Sequence, residues 1–474
     1  MSAGPATNDG RGALVVDVDG TLVKGDLFLE GALRLCFTRP GLVPALLRAL
    51  ARDRGEAKAL VAREVTLAVE DLPLEPEVVA LIHRAREQGL TIALASGADE
   101  TQVAALGEHL EVDVAWGSTP GANLTREDKL RRIEQHYSSF DYVGNGSADL
   151  PIWRAARRAF AVNARDGVVR RARRARPDLE VLGTGSGMRD WLMSLRPHQW
   201  AKNALLLLPV LAAHLPWSLT LARMMFLGIA AFSAVASAVY LLNDLVDLPH
   251  DRRHTTKRHR PIAAGRVGIP TALITIVNLL ALGAILSLAL PLRFGLVLVA
   301  YALLTTAYSL ALKRRAVADV MTLTTLYTMR ILAGAALAGV VLSQWFLAFS
   351  IFFFLSLAML KRVAELREQP AVRNAGARPY VADDVPTLTA FGGGAAAASS
   401  LVYCLYITSD QVELLYTEPV ILWLGLLLLI YWQARMWLIG GRGRMPEDPV
   451  RFALRDRVSY LVLAAFLLTA WLAA

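Results

Sequence analysis

Cysteine is scarce in this sequence: its 474 residues contain two, Cys36 and Cys404. No CxxC spacing occurs, which argues against disulfides and against a thiolate metal site and indicates a reducing compartment. The opening residues, MSAGPATNDGRG, also lack a basic segment followed by an apolar one, which argues against a secretory signal. We therefore expect an amino-terminal domain that stays in the cytoplasm.

Charged residues are sparse over long stretches of the second half, where apolar runs of membrane-spanning length recur from Asn203 onward. These runs predict about nine transmembrane helices. They lie at 203–217, 221–243, 269–289, 293–312, 318–339, 344–361, 386–408, 418–438 and 455–473. The net charge of +9 lies largely in alternate loops between the runs, which favours membrane topology and phosphate binding over nucleic acid.

The basic loops are 244–268, 313–317, 362–385 and 439–454. Because positive loops face the cytoplasm, the pattern predicts a multi-pass protein of the plasma (inner) membrane with its amino-terminal domain inside. The oligomeric state is left open, and a homo-oligomer is compatible with the sequence.

The first 180 residues have globular charge density and predict an α/β doubly wound domain. Strand-like runs lie at 13–16, 91–95 and 142–143, with amphipathic helical stretches between them. They are followed by Asp17, by Ser96 and Gly97, and by Gly144, which are residue types common in ligand-binding loops. A helical insertion at about 27–79 predicts a small cap. The residues 181–194 are expected to be a linker, and 195–474 an all-α polytopic membrane domain.

A group of carboxylates stands at the end of the second apolar run. Asp244, Asp247 and Asp251 lie close to one face if the helix continues past Pro249, and Asn243 directly precedes Asp244. Carboxylates on one face repel unless a cation neutralises them, and oxygen-only ligands favour Mg²⁺. Basic residues follow directly, which is the arrangement that a diphosphate-bearing substrate needs. A solvated loop that marks the membrane boundary is the alternative interpretation.

Two motifs carry a resemblance. The pattern NDxxDxxxD at 243–251, followed by KRxRPIAxG at 257–265, resembles the first signature of the UbiA superfamily of membrane prenyltransferases. Ordinary members carry a second DxxxD motif, but here Asp319 is followed by Leu323 at the position of the second carboxylate. The pieces LRPxQWxKN at 195–203, MLKRxAEL at 359–366 and MPEDPVRFALRDR at 445–457 are similar instead to the decaprenyl-phosphate phosphoribosyltransferase branch.

The resemblance implies a donor, phosphoribosyl pyrophosphate, and an acceptor, a polyprenyl phosphate. It implies that Asp244, Asp247 and Asp251 hold Mg²⁺ on the pyrophosphate, with Asn243 as a neutral ligand and with Asp244 and Asp247 as the catalytic residues. It also implies a set of substrate-binding residues: Lys202, Asn203, Lys257, Arg258, Arg260, Tyr308, Lys313, Arg314, Asp319 and Lys361. Lys361 could equally extend to lipid headgroups.

Arg330 lies inside the fifth predicted span, where an isolated cation is costly. It is expected to face the bundle interior and an anion, either a substrate phosphate or a structural ion-pair partner.

The amino-terminal domain has its own acidic motif, with Asp17 and Asp19 just beyond a strand end. One carboxylate in this position can attack phosphorus while the other acts as acid and base. The motif resembles the haloacid dehalogenase-like hydrolases, and the resemblance implies roles for Ser96, Lys129 and a Mg²⁺ site of Asp17, Asp19 and Asp149. The usual second metal-binding acid is replaced by Asn145. If active, this domain would remove the 5-phosphate of the lipid product.

Two other functions remain open at this point. One is transfer of a prenyl group to an aromatic or quinone acceptor, which the missing DxxxD motif disfavours. The other is a transporter or membrane scaffold with a regulatory head. Transporters usually show inverted repeats and polar groups at the membrane midplane. Here the polar residues gather at one predicted membrane edge, which favours an enzyme.

Overall fold

The computed structural model of the protein describes residues 12–183, 187–368, 379–413, 415–446 and 448–474. The chain divides into two compact units. The first combines Met1–Leu195 with Leu241–Thr275, and the second combines Arg196–Tyr240 with Ile276–Ala474. We call residues 12–183 the head and residues 241–275 the carboxylate loop.

The head is built on a sheet of six strands, all paired in parallel. The strands are β1 (Ala13–Val16), β2 (Thr91–Asp99), β3 (Val114–Ser118), β4 (Phe140–Gly144), β5 (Ala159–Val162) and β6 (Glu180–Leu182). Their order is β3-β2-β1-β4-β5-β6, so the direction of winding reverses between β1 and β4. In such sheets ligands bind outside the carboxyl ends of the strands at this reversal.

Both faces of the sheet are covered, as the alternation of β1 shows. Leu14 and Val16 belong to one buried apolar cluster, and Ala13 and Val15 belong to the other. The prediction of a parallel α/β domain is therefore confirmed. The head helices are α1 (Leu27–Thr38), α2 (Val43–Arg52), α3 (Arg54–Glu64), α4 (Pro76–Glu87), α5 (Glu100–His109), α6 (Arg126–His136), α7 (Leu150–Ala155) and α8 (Asp166–Ala175).

Helices α1 to α3 are inserted between β1 and β2 and have a small core of their own, which includes Leu35, Leu46 and Val61. Two of the helices begin at acidic caps. The carboxylate of Asp26 accepts a hydrogen bond from the Leu29 amide, and that of Asp53 accepts one from the Glu56 amide. Such caps satisfy amide groups that have no partner within the helix, and so fix where each helix begins. We call the inserted residues 27–79 the cap.

The carboxylate loop begins within a long helix and continues through Pro249 into a short one. The short helix α9 (Met188–Ser194) precedes it in the chain, followed by α10 (Leu208–Ala212), α11 (Leu219–Val246) and α12 (Leu248–Arg253). Asp247 interrupts the helix, yet its amide donates to the Asn243 carbonyl at 2.9 Å and the Asp251 amide donates to the Asp247 carbonyl at 2.8 Å. Pro249 stands in the first turn of α12, where no amide hydrogen is needed. The helical path thus continues past the proline.

The second unit is helical. Its remaining helices, in chain order, are α13 (Ile269–Leu288), α14 (Leu292–Leu310), α15 (Ala318–Ala338), α16 (Gln344–Glu368), α17 (Val385–Ile407), α18 (Asp410–Glu413), α19 (Leu422–Gly441), α20 (Pro449–Ala453) and α21 (Arg457–Ala473). Among the described residues, seven helices are long and apolar enough to cross a membrane. Helix α21 is apolar but shorter, with 17 residues.

The predicted count of nine spans is not confirmed, and the difference lies mainly in the first predicted span, 203–217. Here the structure has a 3-10 helix, Pro197–Leu207, followed by the five-residue helix α10. The 3-10 helix packs directly on α15: a β-carbon added to Gly334 would lie 2.0 Å from the carbonyl oxygen of Leu206. The segment also buries the polar residues Lys202 and Asn203, whose partners lie elsewhere in the unit.

Candidate functional site

Two acidic side chains of the carboxylate loop meet at one guanidinium. The Nη1 atom of Arg260 lies 3.1 Å from Oδ1 of Asp244 and 2.5 Å from Oδ2 of Asp251. Both carboxylates are almost fully buried, with 3% and 2% of their residue surfaces exposed. A single positive group can therefore contact both acids at once, which brings Asp251 to the same place as Asp244.

Asn243 and Asp247 complete the predicted set and are half-buried on the same helical path. Within the described ranges, no three His, Cys, Asp or Glu side chains are grouped so that they alone could hold a metal ion. Mg²⁺ usually takes one or two protein carboxylates and completes its shell with substrate phosphate and water. The pair Asp244 and Asp251 fits that requirement, because its oxygens are hard ligands already arranged around one positive charge.

The electrostatics of Asp251 agree with a cation-binding place. Burial raises the pKa of this carboxyl to about 6; Arg260 opposes the shift, while Asp244 and Asp247 add to it. Lys257 and Arg258 stand on a 3-10 turn just before Arg260, whose amide donates to the Lys257 carbonyl at 2.9 Å. Arg258 is exposed and Lys257 is half-buried. The loop thus presents buried acids beside solvent-facing cations.

Lys202 joins two motifs that are far apart in sequence. Its Nζ lies 2.5 Å from Oδ2 of Asp448, a residue of the MPEDPVRF segment. The same carboxylate begins α20 by accepting hydrogen bonds from the amides of Val450 and Arg451. Burial alone would raise the pKa of Asp448, but the charges of Lys202 and Lys361 and the hydrogen bonds hold it at about 2. Asp448 is therefore an anion, and it was not predicted from the sequence although an Asp before a proline is a usual helix start.

Arg330 is buried in α15, as predicted, but its partners are neutral. The guanidinium donates to the Leu326 carbonyl at 2.7 Å, to the Tyr301 hydroxyl at 3.0 Å and to Oδ1 of Asn203 at 3.2 Å. The rings of Phe232, Tyr301 and Tyr327 surround it at 5.1 to 5.5 Å. In the described part of the chain, these contacts hold the cation without an acidic counter-charge.

Asn203 has a second contact, because its amide nitrogen donates to the Ser233 hydroxyl at 2.8 Å. It therefore links Arg330 to α11 as well as to the 3-10 helix. A guanidinium in neutral surroundings within an apolar helix attracts an anion. Arg330 and Asn203 thus form a cationic place inside the second unit.

Asp319 belongs to a different network. The Nε and Nη2 atoms of Arg362 lie 2.5 and 2.8 Å from its two oxygens, and the Tyr308 hydroxyl donates to it at 2.9 Å. Asp319 and the side chain of Arg362 are 0% and 1% exposed. Arg362 also contacts Glu365. Arg362 therefore binds both oxygens of Asp319.

The other predicted basic residues differ in exposure. Lys313 is buried, Arg314 is exposed and Lys361 is half-buried. Lys313 and Arg314 share a 3-10 turn, Leu312–Arg314, just before α15, and Lys361 immediately precedes Arg362 on α16.

In the head, the predicted residues converge at the carboxyl ends of β1 and β4. Nζ of Lys129 lies 2.7 Å from Oδ1 of Asp17 and 3.9 Å from Oδ1 of Asp149. Thr21 donates to the other oxygen of Asp17 at 3.2 Å. Burial raises the pKa of Asp17 against the opposing charge of Lys129. This is the edge of the sheet where the strand order predicts a ligand.

Asp19 is held at the start of the cap. One of its oxygens accepts the amide of Leu27 at 2.9 Å, and the Ser96 hydroxyl lies 3.5 Å from the other. Burial raises the pKa of Asp19 to about 7, and the nearby carboxylate of Asp26 adds to the shift. A carboxyl group with this pKa can both donate and accept a proton near neutrality.

Asp149 is engaged by the chain itself. Its oxygens accept hydrogen bonds from the Tyr142 hydroxyl at 2.7 Å and from the amides of Asn145 and Gly146 at 2.9 and 2.8 Å. The amide side chain of Asn145 packs on Gly20, whose φ is +74°. These contacts suit a carboxylate that orders the loop better than one that holds a metal ion.

Comparison with known proteins places the chain in a family. Residues 204–455 match the UbiA prenyltransferase family. The uncharacterized protein y4nM of Sinorhizobium fredii is 34% identical over 458 residues, covering 95% of this chain and 88% of that protein. A decaprenyl-phosphate phosphoribosyltransferase of Mycobacterium tuberculosis is 31% identical over 282 residues, covering 58% of this chain and 91% of that protein.

Solved structures show lower similarity. A UbiA homologue from Archaeoglobus fulgidus, bound to GPP and Mg²⁺, has a TM-score of 0.46 at 17% identity, covering 59% of this chain and 99% of that one. A hydrolase of the HAD (haloacid dehalogenase) family from Salmonella enterica has a TM-score of 0.27 at 16% identity, covering 36% of this chain and 67% of that one. With residues 204–455 matched and seven apolar helices among its described residues, this multi-pass membrane protein belongs to the UbiA prenyltransferase family.

Proposed function

We propose that the protein transfers a 5-phosphoribosyl group from phosphoribosyl pyrophosphate to a polyprenyl phosphate. The observation that carries the proposal is the convergence of Asp244 and Asp251 on one positive charge. A pyrophosphate leaving group needs a cation of this kind, held by hard oxygen ligands. Support also comes from the relative in Mycobacterium tuberculosis whose name states this activity.

Asp244 and Asp251, with Asn243 and Asp247 beside them, would hold Mg²⁺ together with the pyrophosphate. Mg²⁺ supplies neutralisation of the charge that develops on the departing pyrophosphate. Because Arg260 contacts both acids, its guanidinium would bind the pyrophosphate beside them. Lys257 and Arg258 follow the acids in the chain and would bind the remaining phosphate oxygens.

The reaction makes one bond and breaks one. A phosphate oxygen of the lipid forms a bond to the anomeric carbon of the ribose, while the bond from that carbon to the pyrophosphate oxygen breaks. The electron pair of the broken bond leaves with the pyrophosphate. We propose that Arg330, together with Asn203, binds a phosphate of one substrate. The groups around Arg330 are neutral, so its positive charge is available to an anion.

Prenyl transfer to an aromatic acceptor is the competing activity within the family. Its usual second acidic motif is reduced here to Asp319, and both oxygens of that carboxylate contact Arg362. A carboxylate bound in this way is a weak candidate for a second metal, which favours the phosphoribosyl donor.

The head supports a second candidate function, hydrolysis of the 5-phosphate from the lipid product. Asp17 would attack the phosphorus, and the ester bond to the ribose oxygen would break as Asp19 protonates that oxygen. Water activated by Asp19 would then release phosphate from Asp17. The meeting of Asp17, Asp19 and Lys129 at one sheet edge supports this role. An Asp17→Asn protein that releases the 5-phosphate at the normal rate would exclude it.

The transfer activity can be tested in membranes that contain the full-length protein. Labelled phosphoribosyl pyrophosphate is supplied with a polyprenyl phosphate, in Mg²⁺ or in EDTA, and label in the lipid phase is counted. We expect labelling that needs Mg²⁺ and is lost in Asp244→Ala. Asp383→Ala, a change at an exposed acid before α17, serves as the matched control and should label normally.

Parallel reactions with a prenyl diphosphate and an aromatic acceptor distinguish the two family activities. Equal lipid labelling in wild type, Asp244→Ala and EDTA would refute the proposal. Product formation from the prenyl diphosphate alone would replace it with prenyl transfer, and no product from either donor would favour a transporter or scaffold.

We also propose that the head and the basic loops lie on the cytoplasmic side of the plasma membrane, as the positive-inside pattern indicates. A membrane-impermeant thiol reagent added to intact cells should leave Cys36 of the head unlabelled, and labelling of Cys36 under those conditions would place the head outside.

A further inference from the structure

We infer that the cap of the head is a working part of the transferase, because Glu30 and Arg252 hold the carboxylate loop in place. The inference rests on the proposed function for its catalytic meaning, but its contacts lie within one compact unit of the structure. Glu30 and Arg252 are positioning residues, since they act through Asp251 and Asp244.

The central contact is a buried, bidentate ion pair. Nη1 and Nη2 of Arg252 lie 2.6 and 2.8 Å from the two oxygens of Glu30, which stands in the first turn of α1. Both side chains are 7% exposed. Parallel bonds of this kind fix the orientation of both groups as well as their separation. Since Arg252 directly follows Asp251, the pair fixes the turn of α12 that carries this acid.

Arg252 also connects the two ends of the acidic site. Its Nε donates to the carbonyl of Ala263 at 3.2 Å, three residues beyond Arg260. The guanidinium of Arg252, which stands on the same helix as Asp251, therefore contacts both the cap and the segment that carries Arg260. Loss of the pair would free the two sides of the site to move apart.

Two further contacts join the carboxylate loop to the head. Nε of Arg253 lies 2.6 Å from Oδ2 of Asp71, the last residue of a cap 3-10 turn. Gly265 has a φ of +70°, and a β-carbon there would lie 2.4 Å from the carbonyl oxygen of Lys24. The head thus contacts the loop both just after Asp251 and just after Arg260.

The cap helix that carries Glu30 is in turn attached to the acidic site of the head. Asp19 accepts the amide of Leu27, which is the first residue of α1, and Glu30 follows within that turn. Contacts therefore run without interruption from Asp19 through α1 to Arg252 and Asp251. A change at Asp19 has a physical route to the carboxylate loop.

The test compares Glu30→Gln with Glu64→Gln in full-length protein. Glu64 pairs with Arg39 inside the cap and serves as the matched control for a lost cap ion pair. Two quantities are measured: hydrogen–deuterium exchange of the backbone amides of 248 and 250–254 in detergent, and the Mg²⁺ concentration that gives half the maximal transfer rate. The exchange measurement needs neither metal nor activity.

For Glu30→Gln we expect faster exchange in 248–254 and a half-saturating Mg²⁺ concentration raised about tenfold, the lower end of the effect that follows when the side chains that orient metal ligands are lost. The transfer rate at saturating Mg²⁺ should fall by a smaller factor than the half-saturating Mg²⁺ concentration rises. Arg252→Lys, which keeps the charge, should show a smaller change, and Glu30→Gln with Arg252→Gln should be no worse than either single change.

If Glu30→Gln exchanges in 248–254 and depends on Mg²⁺ as Glu64→Gln does, the inference is wrong. Should Glu30→Gln fail to fold, Gly265→Ala and Arg252→Lys report on the same loop with the same two measurements. If the wild type transfers no phosphoribosyl group, the proposed function is wrong. The exchange measurement still tests the contact in that case: faster exchange in Glu30→Gln supports a cap that holds the loop, and unchanged exchange contradicts it.

Discussion

Replacing Arg362 by glutamine tests the buried network around Asp319. The change removes both bonds from the guanidinium to the carboxylate and deprives the buried Asp319 of the charge of Arg362. Breaking a buried pair by removing one partner costs about 3 to 5 kcal/mol. Since each 1.4 kcal/mol is a tenfold change, the lower figure corresponds to roughly a 100-fold shift toward the unfolded state.

The double change Asp319→Asn with Arg362→Gln distinguishes a lost pair from two independent losses. If the two residues act as a pair, the double protein should be more stable than the sum of the single changes predicts, by about 3 kcal/mol. The free energy of unfolding of each single and double variant is measured on purified protein in detergent, with tryptophan fluorescence as the signal. Additive effects of the two single changes would refute the pairing.

The same proteins address the role of Asp319 in the reaction. The resemblance implied that Asp319 orients the ribose, whereas the structure gives its oxygens to Arg362 and Tyr308. If Asp319 acts only as the counter-ion of Arg362, the double protein should recover much of the transfer rate lost in Arg362→Gln. A double protein that is stable but inactive would assign Asp319 to the substrate.

Three further changes give separate tests. Arg330→Met removes a charge held by neutral groups, so the free energy of unfolding should change by about 1 kcal/mol or less. The rate of labelled-lipid formation should fall at least roughly 100-fold. A less stable protein with a normal transfer rate would contradict this prediction. Gly334→Ala places a carbon against the Leu206 carbonyl and should cost about 3 kcal/mol in thermal unfolding, whereas Gly393→Ala, with open space around it, should not destabilise the protein. Asn145→Asp restores the acid of the family motif and adds a hard oxygen ligand for Mg²⁺, so hydrolysis of p-nitrophenyl phosphate should become faster in Mg²⁺ by about tenfold or more; an unchanged rate would mean that position 145 does not limit the head.

Features set by short-range pattern could be predicted from the sequence. The run Ala13–Val16 is a strand because four apolar residues end in a pair of acids, and the structure has the strand at those bounds. The carboxylate loop was predicted from the spacing of its acids, and the guanidinium contacts show Asp244 and Asp251 at one place. What spacing alone left open was the path after Pro249, which depends on the hydrogen bond from Asp251 to Asp247.

Features that depend on how elements pack could not be predicted in this way. The pairing of Arg362 with Asp319 depends on which faces of α15 and α16 meet, and neither helix reveals that by composition. The first predicted span is apolar enough, yet its segment forms a 3-10 helix where Leu206 approaches Gly334. The contact of Glu30 with Arg252 joins residues 222 positions apart, so no local pattern indicates it.

The ion pair between Lys202 and Asp448 has a consequence for biosynthesis. The two residues are separated by 246 positions, so at 5 to 20 residues per second Lys202 is made roughly 12 to 50 s before its partner. During that time all seven apolar helices of the described residues, of which α11 is the first and α19 the last, are synthesised. A nascent chain therefore carries an unneutralised ammonium beside the membrane until its last loop emerges. The pair can form only at the end of insertion, and chains cut short before Asp448 would display that charge to the machinery that degrades unassembled membrane proteins.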